Sequence, residues 1–211
     1  MIVRLAETTS TMTDAARIAD EGAPHLSVVV ADRQLAGQGR HGHSWISPEG
    51  GLYCTFVLRR KETLPVITLS LGLAVAEAVQ VPCDLRWPND VMLGDRKLAG
   101  ILTTLQGEVV LAGIGVNLKD PDFPEAAWID NISRDELLDR LIPAVEKMIS
   151  FPPDEIISRF TSTSSYAMGK RVQVEGHGFG VTAGLDQSGF LKLCKDDGSV
   201  VTVVSGGVRP A

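Results

Sequence analysis

Four stretches of the 211-residue chain place side chains where they could do chemistry. The first, Gly37-Gln38-Gly39-Arg40-His41-Gly42, has the G-x-G-x-x-G spacing of dinucleotide sites. That fingerprint works only where strand, turn and helix are contiguous, so that the pyrophosphate meets a helix N-terminus. Here the preceding β-like run ends near Ala31, and His43-Ser44-Trp45-Ile46-Ser47-Pro48 does not open a helix, which argues against a nicotinamide site. What the segment offers is backbone that can approach a ligand closely, N–H groups that can line up toward an anion, and one obligate cation, Arg40. His41 and His43 invite a metal reading but lack an evident third ligand. The second stretch, Arg86-Trp87-Pro88-Asn89-Asp90, sets an amide and a carboxylate on a tight turn, where such groups commonly serve the turn's own hydrogen bonds. Lys97-Leu98-Ala99-Gly100-Ile101-Leu102 then places a lysine, depleted in strands, ahead of an apolar run. Such a lysine either snorkels to solvent or is aimed at a ligand anion. Finally, Gly113-Ile114-Gly115-Val116-Asn117 ends a β-like run with two glycines, which weaken a strand unless something must approach its backbone.

The elements that must hold these groups are legible from periodicity. Residues 2–5 read as a short strand, and Ser10-Thr11 cap a helix that stops at Gly22. Residues 26–31 form a continuous β-branched run typical of a buried strand. Residues 33–51 lose the apolar pattern and contain five glycines, too long a stretch for an ordinary connector. Strands are expected at 52–58, 84–87, 97–105 and 109–116, with a helix at 65–80. Ser133 and Glu136 form a capping box for a further helix, and another follows Pro152-Pro153. From about residue 167 the chain changes to four short β-like runs, 172–175, 180–185, 190–194 and 200–204, separated by turn clusters. The expected architecture is α+β: a mixed-sheet unit over residues 1–166 and a small β-barrel over 167–211, too small to stand unless packed on the larger unit.

Composition narrows the function classes. With 44% hydrophobic residues, 22% charged residues and 21 glycines, the chain is an ordinary folded protein. The excess of 26 acidic over 20 basic residues, −6 in net charge, gives it no overall hold on nucleic acid. Cys54, Cys83 and Cys194 have neither disulfide-framework nor zinc spacing and suit a reducing compartment. The most apolar window, 64–81, is interrupted by Thr68, Ser70, Gly72 and Glu77, so no membrane span or export signal is expected and a cytoplasmic location is.

Taken in order, Thr9-Ser10-Thr11, the segment from Gln34 to Trp45, Arg86 to Asp90, Lys97 to Leu102 and Gly113 to Asn117 resemble the motifs of biotin protein ligases, at roughly that family's spacing. The resemblance implies a catalytic domain similar to class II aminoacyl-tRNA synthetases, followed by an SH3-like barrel. It implies ATP, biotin and Mg²⁺ as ligands, formation of biotinyl-5′-AMP, and transfer of biotin to a lysine of a biotin carboxyl carrier protein. Some members carry an N-terminal DNA-binding domain. Here the chain starts almost at the Ser10-Thr11 motif, so no repressor function is expected. The family includes monomers and dimers, which leaves a homodimer open. A lipoate ligase, sharing fold and adenylation logic, and a biotin-binding module without turnover are the alternatives.

Residue by residue, the resemblance implies catalytic roles for Lys97 and Arg40. It implies biotin contacts from Ser10, Thr11, Met12, Gln34, Gly37, Gln38, Gly39, Arg40, Lys97 and Gly100. On the ATP side it implies Arg40, Trp45, Arg86, Asn89, Asp90, Lys97, Gly113 and Asn117, with Asp90 also the metal residue. The sequence departs from the family pattern at Gln38 and His43, where arginines are usual, at Arg86, usually lysine, at Thr104, commonly Glu, and at Met12, commonly Asn.

Overall fold

The computed structural model describes residues 1–60 and 62–211. Its first half lays down β1 (Ile2–Thr8), α1 (Thr11–Asp20), β2 (Ser27–Gln34), the two-residue strands β3 (Gly37–Gln38) and β4 (Ser44–Trp45), β5 (Leu52–Leu58) and α2 (Leu64–Val79). There follow β6 (Asp84–Arg86), β7 (Asp90–Leu93), β8 (Arg96–Gln106), β9 (Val109–Val116), α3 (Arg134–Ser150) and α4 (Pro153–Thr163). The tail forms β10 (Met168–Val174), β11 (Gly178–Leu185), β12 (Leu191–Cys194), β13 (Val200–Val203) and β14 (Val208–Pro210). No helix is long and apolar enough to cross a membrane among the described residues.

Seven strands make a mixed sheet in the order β1-β2-β5-β9-β8-β7-β6. Only β1 and β2 pair in parallel; the other neighbours are antiparallel. The continuous apolar run in β2 follows from burial on both faces: Val28 and Val30 pack with α2 and α3 in the main core, while Val29 packs under α1 with Ala15 and Ile18. Helix α2 is apolar nearly all round because it lies between the sheet and α3 and α4.

The tail forms the expected small antiparallel β-unit, and its barrel is not closed. Its five strands run β13-β12-β11-β10-β14 as an open antiparallel sheet whose first and last strands do not pair. The edge strands span four and three residues, and Pro210 at one edge has no N–H to offer a further ladder. Strand β10 also begins earlier than expected, β14 was not anticipated, and the segment expected as a long loop contains the β3–β4 hairpin and a 3-10 turn at Arg40–Gly42. The tail does not stand alone: Val172, Leu191, Leu193 and Val203 join the same core as α2. One buried polar tie crosses the contact, Trp87 Nε1–H donating to the Gly189 carbonyl at 3.0 Å. Trp87→Phe removes the N–H donor together with part of the buried ring, leaving that carbonyl unpaired and a small void, so urea unfolding is expected to show a loss of about 1–3 kcal/mol with the slope unchanged.

Candidate active site

One end of the mixed sheet and the rim of the tail sheet enclose a cavity of about 960 Å³. That is at the upper end of small-molecule sites, with room for two reactants side by side. Ser10, Thr11, Met12, Gln34, Gln38, Gly39, Arg40, Trp45, Arg86, Asn89, Asp90, Lys97, Gly100, Gly113 and Asn117 all line it, although they lie as far as 107 positions apart in the chain. Gly37 does not line it. It is buried where a Cβ would stand 2.4 Å from the Trp45 carbonyl and 2.6 Å from Ser47 Oγ, so its role is to let the base of the loop close.

The start of α1 supplies a rigid polar corner. Ser10 caps the helix, its hydroxyl accepting from the Met12 N–H, and is fully buried. Gln34 Oε1 accepts from the Thr11 N–H at 2.8 Å and the Thr11 hydroxyl at 3.1 Å, while Gln34 Nε2–H donates to Ser47 Oγ at 2.9 Å. Because the Thr11 hydroxyl donates to Gln34, Thr55, 2.9 Å away, must donate to Thr11. Ser47 Oγ–H in turn donates to the Trp45 carbonyl, so the corner is tied to the glycine-rich loop. Below it the cavity floor includes Cys54, whose thiol burial pushes up to about 12, which makes it an inert apolar group.

The floor beside this corner is a glycine shelf. Gly100 of β8 and Gly115 of β9 are cross-strand partners, and the Trp45 indole lies on both: a Cβ on Gly115 would be 2.4 Å from Trp45 Nε1, and one on Gly100 2.9 Å from the ring. Sequence reasoning marked both Gly113 and Gly115 as places where something must approach the strand but carried only Gly100 and Gly113 to the site; Gly115 shares the Gly113 face by simple alternation. The indole N–H is buried and finds no hydrogen-bond partner among the described residues.

Lys97 sits above this shelf. Its Nζ is 2.6 Å from Asp90 Oδ1 and 5.3 Å from the Trp45 ring centroid. The ion pair is close but off the hydrogen-bonding axis, since Asp90 Oδ1 accepts no hydrogen bond among the described residues. The Lys97 backbone is pinned: its N–H donates to the Glu125 carbonyl, and its carbonyl accepts from the Ala127 N–H and from Asn117 Nδ2–H. Asn117 therefore acts on Lys97 through the backbone.

Arg40 is held from the opposite side. Its Nη1 donates to Asn89 Oδ1 at 3.0 Å and to the Gly206 carbonyl at 3.4 Å, while Asn89 Nδ2–H donates to the Ile101 carbonyl. Burial lowers the Arg40 pKa, and the charges of Asp90 and Glu175 raise it, so the guanidinium stays charged with two carboxylates in its field. Next to it His41 adopts φ 53° and meets Ser205 Oγ at 3.0 Å. Glu175, Gly206 and Arg209 of the tail line the cavity as well. No local motif marks them, and only the packing of the two sheets brings them there.

A family model described as the biotin/lipoate A/B protein ligase family matches residues 4–119, more than half of the chain. The chain belongs to this family. It is 32% identical to the biotin–[acetyl-CoA-carboxylase] ligase of Mycobacterium tuberculosis, over 96% of this chain and 86% of that protein. It is 30% identical to the bifunctional ligase/repressor BirA of Bacillus spizizenii, over 90% of this chain and 68% of that protein. In structure it is similar to the biotin protein ligase of Aquifex aeolicus in complex with biotin and ATP, with a TM-score of 0.86 and 29% identity over 100% of this chain and 99% of that one. Membership in a ligase family matches the cavity's chemistry, a rigid hydrogen-bonding corner next to fixed cations.

The shelf is directly testable. Gly115→Ala forces the Trp45 indole off its seat, so its emission should shift to the red relative to the parent chain. The same substitution in a Trp45→Phe background should leave the emission of Trp87 and Trp128 unchanged. Unshifted emission in the first variant would mean that the indole does not rest on Gly115.

Proposed function

We propose that this chain is an ATP-dependent ligase that forms biotinyl-5′-AMP and transfers the biotinyl group to a lysine of a biotin carboxyl carrier domain. The observation that carries the reading is the convergence of Lys97, Arg40 and the Ser10-Thr11-Gln34 corner on one cavity, in a chain of this family. Residues 1–166 form the catalytic unit, and residues 167–211 brace its glycine-rich loop.

In the first step a biotin carboxylate oxygen attacks the α-phosphorus of ATP, and the bond to the β-phosphate oxygen breaks to release pyrophosphate. In the second the carrier lysine, as free amine, attacks the acyl carbon; AMP leaves and the amine gives up a proton. The first step brings two anions together, so the protein's contribution is positioning and compensating charge. The Ser10, Thr11 and Gln34 groups, with Met12 beside them, hold the biotin ring. Lys97 stands between its carboxylate and the α-phosphate. Because Asp90 holds the Lys97 ammonium, ligand oxygens meet a charge already in place.

Arg40, with Gln38 and Gly39 on the same loop, covers the adenylate, Asn89 orients Arg40, and Trp45 walls the site. A magnesium ion fits as one carried in by the phosphates, because Mg²⁺ commonly takes one or two carboxylates, water and substrate oxygens. Asp90 would supply the protein oxygen, and the ion would neutralise phosphate charge. The described residues hold no cluster of three or more ligating side chains, so a site built wholly from protein does not suit them.

Incubation with ATP, Mg²⁺, biotin and a carrier domain should add one biotinyl group to the carrier by intact mass, and biotin should drive ATP–pyrophosphate exchange. Exchange driven by lipoate alone would overturn the substrate assignment. Lys97→Ala should lower exchange by about 100-fold or more while the urea midpoint stays close to that of the parent chain. Preserved exchange would remove Lys97 from the mechanism. Arg40→Gly breaks the ties to Asn89 and Gly206, so it should release the adenylate and label bystander lysines several-fold more than the parent chain. Equal bystander labelling would count against the covering role of Arg40.

A further inference from the structure

We propose that Tyr166, a residue outside every motif, is the positioning residue of a preformed anion clamp whose donor is Arg86, and that the clamp takes the phosphate chain of the nucleotide. The proposal rests on the ligase reading for the identity of the anion. Arg86 ends β6, is half-buried and lines the cavity. Its Nε is buried without a hydrogen-bond partner, and among the described residues the guanidinium meets no acceptor. Arg40 and Lys97, by contrast, are both engaged by protein oxygens. The cross-strand partner of Arg86 is Asp90, but that carboxylate lies against Lys97. A desolvated donor left unpaired is costly, and a cation kept in that state at a cavity wall is matched to an acceptor that arrives with the ligand.

What holds Arg86 is an aromatic face. Its Cζ lies 4.7 Å from the Tyr166 ring centroid, a contact that orients the guanidinium plane while using none of its five N–H donors. The ring is itself anchored. Asp84 stands two residues before Arg86, on the same face of β6, and accepts hydrogen bonds from the Ser165 N–H at 2.8 Å and from the Ser165 hydroxyl. That tie sets the link between α4 and β10 beside β6 and delivers Tyr166 over Arg86. The planar fork suits a group with several oxygens, and bidentate phosphate binding is its characteristic use.

The test is the affinity of the full chain for an ATP analogue with a methylene bridge between the α- and β-phosphorus, by titration calorimetry, with biotin affinity and biotin-dependent exchange measured alongside. Tyr166→Leu should weaken analogue binding about three- to tenfold and leave biotin binding within about twofold, whereas Tyr166→Phe, which keeps the face, should restore the parent affinity. Arg86→Ala should weaken it about tenfold or more, and adding Tyr166→Leu to that variant should cost nothing further, because the ring acts through Arg86. Arg86→Lys should recover only part of the loss.

Parent affinity in Tyr166→Leu, a loss shared by Tyr166→Phe, or losses that multiply in the double variant would overturn the proposal. Should Tyr166→Leu fail to fold, Arg86→Lys decides: full affinity with lysine means that charge without the stacked fork suffices, and the clamp is wrong. A parent chain that binds the analogue with this pattern but shows no biotin-dependent exchange would sink the ligase reading and leave the clamp standing. Exchange without the pattern would do the reverse, and a parent chain that does not bind the analogue would overturn the clamp.

Discussion

Lys97 and Gly100 are three residues apart on one strand, an odd spacing that regular alternation sends to opposite faces. In the structure they face the same cavity, with Lys97 Nζ 3.2 Å from where a Gly100 Cβ would stand. The reason is a register shift between β7 and β8: Asp90 pairs with Gly100 and Val91 with Ala99, but Met92 pairs with Lys97, which leaves Leu98 as an extra residue. This bulge turns the Lys97 side chain toward the cavity while Leu98 and Ala99 go fully into the core. The position of the lysine over the glycine shelf, its pairing with Asp90 and its contact with Trp45 all depend on that one irregularity.

The cations show a common physical pattern. A long flexible side chain loses rotamer entropy when a ligand orders it, and much of that loss is met in advance where the protein already holds the group. Asp90 does this for Lys97, Asn89 and the Gly206 carbonyl do it for Arg40, and the Tyr166 face does it for Arg86. The net charge of −6 is silent about this arrangement: among the described residues Arg40, Arg86, Lys97 and Arg209 line the cavity, together with Asp90, Asp95, Glu125 and Glu175, so what matters is where each cation is held and not the sum. The glycine-rich loop carries Gln38 and His43 in place of further arginines. Part of its anchorage lies in the tail, where His41 meets Ser205 Oγ and Arg40 donates to the Gly206 carbonyl.

The two ends of the cavity are coupled by short hydrogen-bond chains. From Thr55 through Thr11, Gln34 and Ser47 the chain reaches the carbonyl of Trp45, whose ring touches Lys97. Each of these side chains finds its partners within the protein, which keeps the corner in one geometry rather than several. The loop that looked merely glycine-rich is therefore an ordered bridge between the α1 corner and the tail sheet.

Sequence by itself determined the helices and most strands of the mixed sheet, and of the residues it named for the site all but Gly37 line the cavity. Apolar periodicity, caps and turns are local, and the five ordered motifs each keep their chemistry in a contiguous stretch. It did not disclose which groups would meet. The odd spacing of Lys97 and Gly100 made sense only once the bulge was present. The seat of Trp45 on Gly115 depends on the pairing of β8 with β9, and the placement of Tyr166 on Arg86 depends on a hydrogen bond between residues 81 positions apart. That the tail's small barrel is not closed, with β13 and β14 unpaired with each other, is likewise decided by three-dimensional geometry. Local patterns encode which face of an element is apolar; contacts across the chain are set by packing, and they decided here how the cations are held.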